Sequence, residues 1–155
     1  MNAVNENTVE VLNDLIRINN DRVEGYTKAI DQSEKENLDL INAFEKMITQ
    51  SNDYLADLSS LVSKYGGTVT TDTTIMGKIY RTWMDVQITF SANDRKNILG
   101  ECEFGEDAAQ RAYKMALEED DLTEEARSLV TVQKNALKGS HDLIKGWRDK
   151  EKAEA

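Results

Sequence analysis

An all-α fold, specifically an antiparallel four-helix bundle with a helical crossover between its second and third bundle helices, follows from three observations. Apolar residues recur in steps of three and four along four long segments; the chain contains no proline; and glycines and cap residues fall where those segments must end. The 155 residues, 39% hydrophobic and 31% charged, describe one ordinary globular domain spanning 1–155. A chain of this length buries roughly 70% of the surface its unfolded form exposes, so it needs neither a disulfide nor a structural metal to fold.

The first bundle helix carries Val9, Leu12, Ile16, Asn19, Val23, Tyr26 and Ile30 as one stripe. DQSEKEN follows, with Ser33 and Glu36 at capping-box spacing, and a second stripe runs through Ile41, Phe44, Ile48, Ser51, Leu55, Leu58 and Val62. Gly66 and Gly67 end that helix, because glycine supplies a left-handed cap. The short link makes the two helices an antiparallel hairpin. TVTTDTT is β-branched but too polar for a buried strand. Met76, Ile79, Trp83, Val86 and Phe90 then predict a shorter helix from about 73 to 91, the core of a crossover over about 66–93.

Asn93 and Asp94 are cap residues for the third bundle helix, whose inward stripe is Ile98, Cys102, Gly105, Ala109, Ala112 and Ala116. Such small side chains admit a neighbouring helix at short distance. After the acidic EEDDL, Thr123 caps the last helix, Glu124 and Glu125 suit its positive end, and Ala126, Val130, Gln133, Leu137, Ser140, Ile144 and Trp147 face inward.

The net charge of −10 and pI near 4.6 oppose binding to phosphate backbones or anionic lipid, so neither nucleic acid nor a membrane is an expected partner. The one basic concentration, Lys145, Arg148, Lys150 and Lys152, lies at a helix C-terminus, where cations complement the dipole. MNAVNENTVEVLNDL lacks the basic start, apolar run and cleavage site of a signal peptide, and no run reaches the length of a membrane span. With a single thiol, Cys102, the expected location is the cytoplasm.

Polar residues on inward stripes are the informative exceptions: Asn19, Ser51, Gln133, Ser140 and His141. Gln133 and His141 stand eight positions apart, two turns along nearly one face. Asn19, Gln133 and His141 are therefore expected to form a buried polar network that fixes helix register. The nearby acids Glu24, Glu103 and Glu106 could join His141 as metal ligands. Di-metal carboxylate bundles, however, use a Glu-x-x-His pair on each of two helices. Here the one histidine follows Lys138 by three positions, and Glu45 is followed by Ile48. Cys102 beside His141 would make a nucleophile, but a thiol on a face of small residues is ordinarily packed. No phosphate loop, zinc pattern or nucleophile elbow is present. Tyr80, Trp83 and Trp147 read as core or crossover packing.

In LNDLIRINNDRVEGYTKAI (12–30), GKIYRTWMDVQ (77–87), CEFGEDAAQRAYKMAL (102–117) and QKNALKGSHDLIKGWRD (133–149) the chain resembles an uncharacterised bacterial family of ferritin-like four-helix-bundle proteins with a domain of unknown function. The resemblance covers nearly the whole chain. It implies a ferritin-like bundle and descent from proteins that hold di-iron or di-manganese centres. Carried over residue by residue, Glu24 and Glu103 or Glu106 stand for single glutamate ligands, while neither Glu-x-x-His pair has a counterpart. The expected function is thus a non-catalytic helical module without a cofactor, acting through a protein partner or self-association. The alternative is a metal-binding protein with a degenerate site for iron, manganese or zinc at Glu24, Glu103, Glu106 and His141.

Overall fold

The computed structural model describes residues 2–70, 72, 74–85 and 94–154, and among them the chain is all-α. The helices are α1 (Ala3–Gln32), α2 (Leu38–Lys64), α3 (Lys78–Asp85), α4 (Arg95–Leu117) and α5 (Glu124–Glu154). The first two pair as a hairpin, as do α4 and α5; α1 packs on α4, and α3 lies against both. Contacts between helices run in opposite residue order. Asn19 meets Tyr113 while Arg22 and Tyr26 meet Glu106, and Lys64 meets Glu125 while Gln50 meets Ser140. Each of these pairs of helices is therefore antiparallel.

Local chemistry explains most of the helix ends. The Asn2 side chain accepts from the Asn5 amide at 2.8 Å, and Asp94 does the same for Asn97 at 2.8 Å. Thr123 Oγ1 accepts from the Ala126 amide at 3.2 Å to open α5. At the end of α2, Gly66 has φ +80°, its amide donates to Ser63 O and the Gly67 amide to Val62 O, which closes both orphan carbonyls of the last turn. The capping box expected at Ser33 and Glu36 does not form. Ser33 instead terminates α1, its hydroxyl donating to Ala29 O at 2.7 Å, and α2 starts after Asn37 with no side-chain cap.

The crossover helix also differs from expectation, beginning at Lys78 rather than near 73. Arg17, buried in α1, donates to the carbonyls of Asp72 and Ile75 at 3.1 and 2.8 Å, so these groups point at a guanidinium instead of along a helix. The Asp14 carboxylate then accepts from the amides of Gly77 at 3.0 Å and Tyr80 at 3.1 Å, starting the helix there. The remainder of the expected helix, with Val86, Phe90 and the cap residue Asn93, lies outside the described residues.

Two apolar clusters fill the interior. One joins Leu12, Leu15, Leu58, Val62, Ile79, Trp83, Ala109, Tyr113, Val130 and Leu137; the other joins Tyr26, Phe44, Met47, Ile98, Leu99, Cys102 and Ile144. The first lies toward the N-terminal ends of α1 and α5, and the second toward their C-terminal ends. Between them every long helix contributes a polar side chain: Asn19 and Arg22 from α1, Ser51 from α2, Glu106 from α4 and Ser140 from α5.

Candidate functional site

That polar layer is built around an ion pair. Arg22 is 6% exposed and Glu106 1%, and the guanidinium reaches Glu106 Oε1 through Nη2 at 2.9 Å and Nε at 3.2 Å. Tyr26, one turn beyond Arg22, donates its hydroxyl to the same oxygen. Its ring also lies 5.2 Å from the Arg22 guanidinium carbon, a cation–π contact. Nη1 donates away from the acid, to Met47 O at 3.2 Å and Ser51 Oγ at 2.8 Å. Burial disfavours the charged guanidinium, yet the carboxylate and the neighbouring tyrosines outweigh it, and the Arg22 pKa rises. The Tyr26 hydroxyl is pushed far above its ordinary value by burial and then by the adjacent Glu106, so it remains a donor.

From Ser51 the bonds continue in one direction. Ser51 Oγ donates to Asn19 Oδ1 at 2.9 Å, Asn19 Nδ2 donates to the Tyr113 hydroxyl at 2.9 Å, and Tyr113 donates to Gln133 Oε1 at 2.7 Å. The chain of donors starts at a cation and crosses all four long helices. Because each donor is fixed by the one before it, the array polarises along its length. Two atoms of this network, Glu106 Oε2 and Gln133 Nε2, are buried and have no hydrogen-bond partner among the described residues.

The four candidate metal ligands are dispersed. Glu24 lies on the outer face of α1 against Lys28 at 3.3 Å, its side chain 66% exposed. Glu103 receives Arg148 Nη1 from α5 at 2.6 Å. Glu106 is the only one of the four in the interior, held by Arg22. His141 sits at the rim, its ring between Asp107 of α4 and Asp142. Among the described residues no three His, Cys, Asp or Glu side chains group as metal ligands. The residues as placed do not fit the di-metal centre that a ferritin-like ancestry implies, since the single interior carboxylate has a guanidinium where a second ligand and a cation would stand.

Asn19 and Gln133 do share a buried network, through Tyr113, but His141 is outside it. Ser140 bonds Gln50 at 3.2 Å on the α2 side. Cys102 is 1% exposed, and burial, followed by the charge of Glu106, raises its thiol well above the ordinary range; His141 bonds elsewhere, so no activated nucleophile results. Tyr80 and Trp83 pack inside, with the Tyr80 hydroxyl and Trp83 Nε1 both donating to Asp21 at 2.9 and 3.0 Å.

Sequence reasoning missed Arg22, Tyr26 as a donor, Tyr113, and the Asp14–Arg17 pair that starts α3. One signal was available. Val11, Leu12, Leu15, Ile16 and Ile18 point in every direction around α1, the pattern of a helix buried on all sides. Positions 11–19 are all buried, so the Asn13, Asp14 and Arg17 among them had to find partners inside.

No curated protein matches the chain. Helices α1 to α4 and the polar layer they carry up to Tyr113 fall within the stretch, residues 7–119, matched by the model of the family described as Domain of unknown function (DUF2383), and the chain belongs to that family.

Proposed function

We propose that this chain is a non-catalytic, cytoplasmic four-helix-bundle module that acts through protein partners or through self-association. Its helix α3 and flanking segments form a ferritin-like crossover. The observation that carries the reading is the placement of Arg22. At mid-length in a bundle of this kind, facing carboxylates hold metal ions; here a guanidinium supplies the positive charge to Glu106, and Tyr26, Ser51, Asn19, Tyr113 and Gln133 extend from it as a bonded network. Such a layer fixes which helices pair and in what register. It offers a substrate no nucleophile and no open carboxylate pair.

Elemental mass spectrometry of the full chain, produced with added iron, manganese and zinc and purified without chelators or a histidine tag, tests this against a degenerate metal site. The expected result is a folded protein with far less than one metal per chain. A stoichiometric metal that is lost in both Glu106→Gln and His141→Ala would overturn the proposal in favour of iron, manganese or zinc binding.

A further inference from the structure

The outer surface of α5 carries a second stripe that the fold itself does not use. Val132, Ala136, Gly139, Leu143 and Gly146 alternate in steps of four and three, a coiled-coil spacing, and all are exposed, Val132 by 64% and Leu143 by 41%. They lie about a quarter-turn away from the buried stripe Ala126, Val130, Gln133, Leu137 and Ile144. Gly139 and Gly146 are destabilising in a helix interior relative to alanine. Nothing in the chain's own packing asks for them, since a Cβ at either would meet no atom within 4 Å. The remaining large exposed apolar side chains, such as Leu38, Val69, Ile75, Met84 and Phe104, are scattered over other elements. The aromatic stretches are not exposed alternatives, because Tyr80 and Trp83 are buried and Tyr54 and Tyr65 pack against the core.

We infer that α5 docks against α5 of a second copy of this chain, antiparallel about a two-fold axis between Ala136 and Gly139. This rests on the proposed self-association and names its surface. The occupant follows from self-complementarity. In an antiparallel seam with that centre, Val132 faces Leu143 of the second copy, Ala136 faces Gly139, and Leu129 faces Gly146, so bulky side chains meet each other or fill the space over a glycine. The same register brings Glu125 at one end opposite Lys150 at the other, an acid against a base at both ends of the seam. A chain with a net charge of −10 resists self-association over most of its surface. This seam carries one charge of each sign, and the symmetry cancels them. Glu125 also pairs with Lys64 of its own chain, but both are about half exposed and the exposed pair adds little. The seam runs over about 37 Å of helix. It is isologous, as a two-fold dimer requires.

Analytical ultracentrifugation of the full chain and three variants tests this, with circular dichroism melts to confirm folding. The wild type is expected to dimerise in a concentration-dependent way. Leu143→Glu, a substitution at an exposed site, is expected to melt like the wild type yet weaken the dimer at least tenfold. Lys150→Glu sets two acids against each other at each end of the seam and is expected to weaken it as well, whereas Glu125→Lys combined with Lys150→Glu reverses both charges and restores it. A chain still monomeric at about 1 mM overturns the inference. So does a dimer indifferent to Leu143→Glu, which would leave self-association standing on another face; a monomer that binds a different protein would leave only the partner reading.

Discussion

Removing the Arg22 guanidinium leaves the Glu106 carboxylate buried with only Tyr26 on one oxygen and no partner on the other. Breaking a buried pair from one side costs about 3–5 kcal/mol, while replacing both partners by apolar groups of similar volume is often neutral. Arg22→Met alone is therefore expected to lower stability by about that amount, and Arg22→Met with Glu106→Leu to recover most of it, measured by urea unfolding. If the double variant were no more stable than the single, the ion pair would be adding stability beyond mutual neutralisation. His141 poses a different question. Burial lowers its pKa, but its bonds to Asp142 and Asp107 outweigh this and hold it above 6.5. A raised folded-state value means that the imidazolium stabilises the fold in full below about pH 6.5 and loses that contribution as pH rises through the raised value. Unfolding midpoints compared between about pH 5.5 and about pH 9 should therefore fall more for the wild type than for His141→Gln. Equal slopes would dismiss the Asp107 and Asp142 bonds as a source of stability.

At the scale of elements, α3 depends on α1 more than on its own eight residues. So short a helix is unstable alone. Asp14 supplies acceptors for its first turn, Asp21 holds Tyr80 and Trp83, and Arg17 fixes the segment leading into it. Asp14→Ala removes two charge-assisted bonds and strips Arg17 of its buried counter-charge, at a cost on the order of 3 kcal/mol or more. Hydrogen exchange should then show protection lost at residues 77–85 first, with the α4–α5 hairpin retained. Uniform loss of protection would mean that α3 is not a separate unit. Gly77 supports the same contact, since a Cβ there would collide with the Asp14 carboxylate.

For the whole molecule, the polar layer divides one interior into two apolar clusters, and any slip of one helix by a turn would push Arg22 or Glu106 into hydrocarbon. That penalty ties the pairing of α1 with α2 and α4 to a single register. Around this interior lies a surface with a net charge of −10, so mutual repulsion opposes the compact state. Salt screens exposed charges over about 10 Å at 0.1 M but reaches buried pairs far less. Raising sodium chloride from about 0.02 to about 0.3 M is thus expected to raise the thermal midpoint. A fall would show that exposed ion pairs such as Lys64–Glu125 and the Arg95 bonds to Asp39 and Glu151 outweigh the repulsion.

The amino-acid order by itself determined the helical class, the four long amphipathic segments, the left-handed stop at Gly66, the Asp94 and Thr123 caps, and the inward facing of Asn19, Ser51 and Gln133. All of these are written in the spacing of neighbours along one helix, where the 3.6-residue period alone decides which side chains share a face. Only the tertiary structure decided that Arg22 belongs to Glu106, 84 positions away, that Asp14 starts α3, and that Glu24, Glu103 and His141 face separate partners. A charged residue on a helix has no preference for inside or outside until a counter-charge on another helix is brought against it. Those meetings depend on the relative height and rotation of whole helices, which no local period encodes.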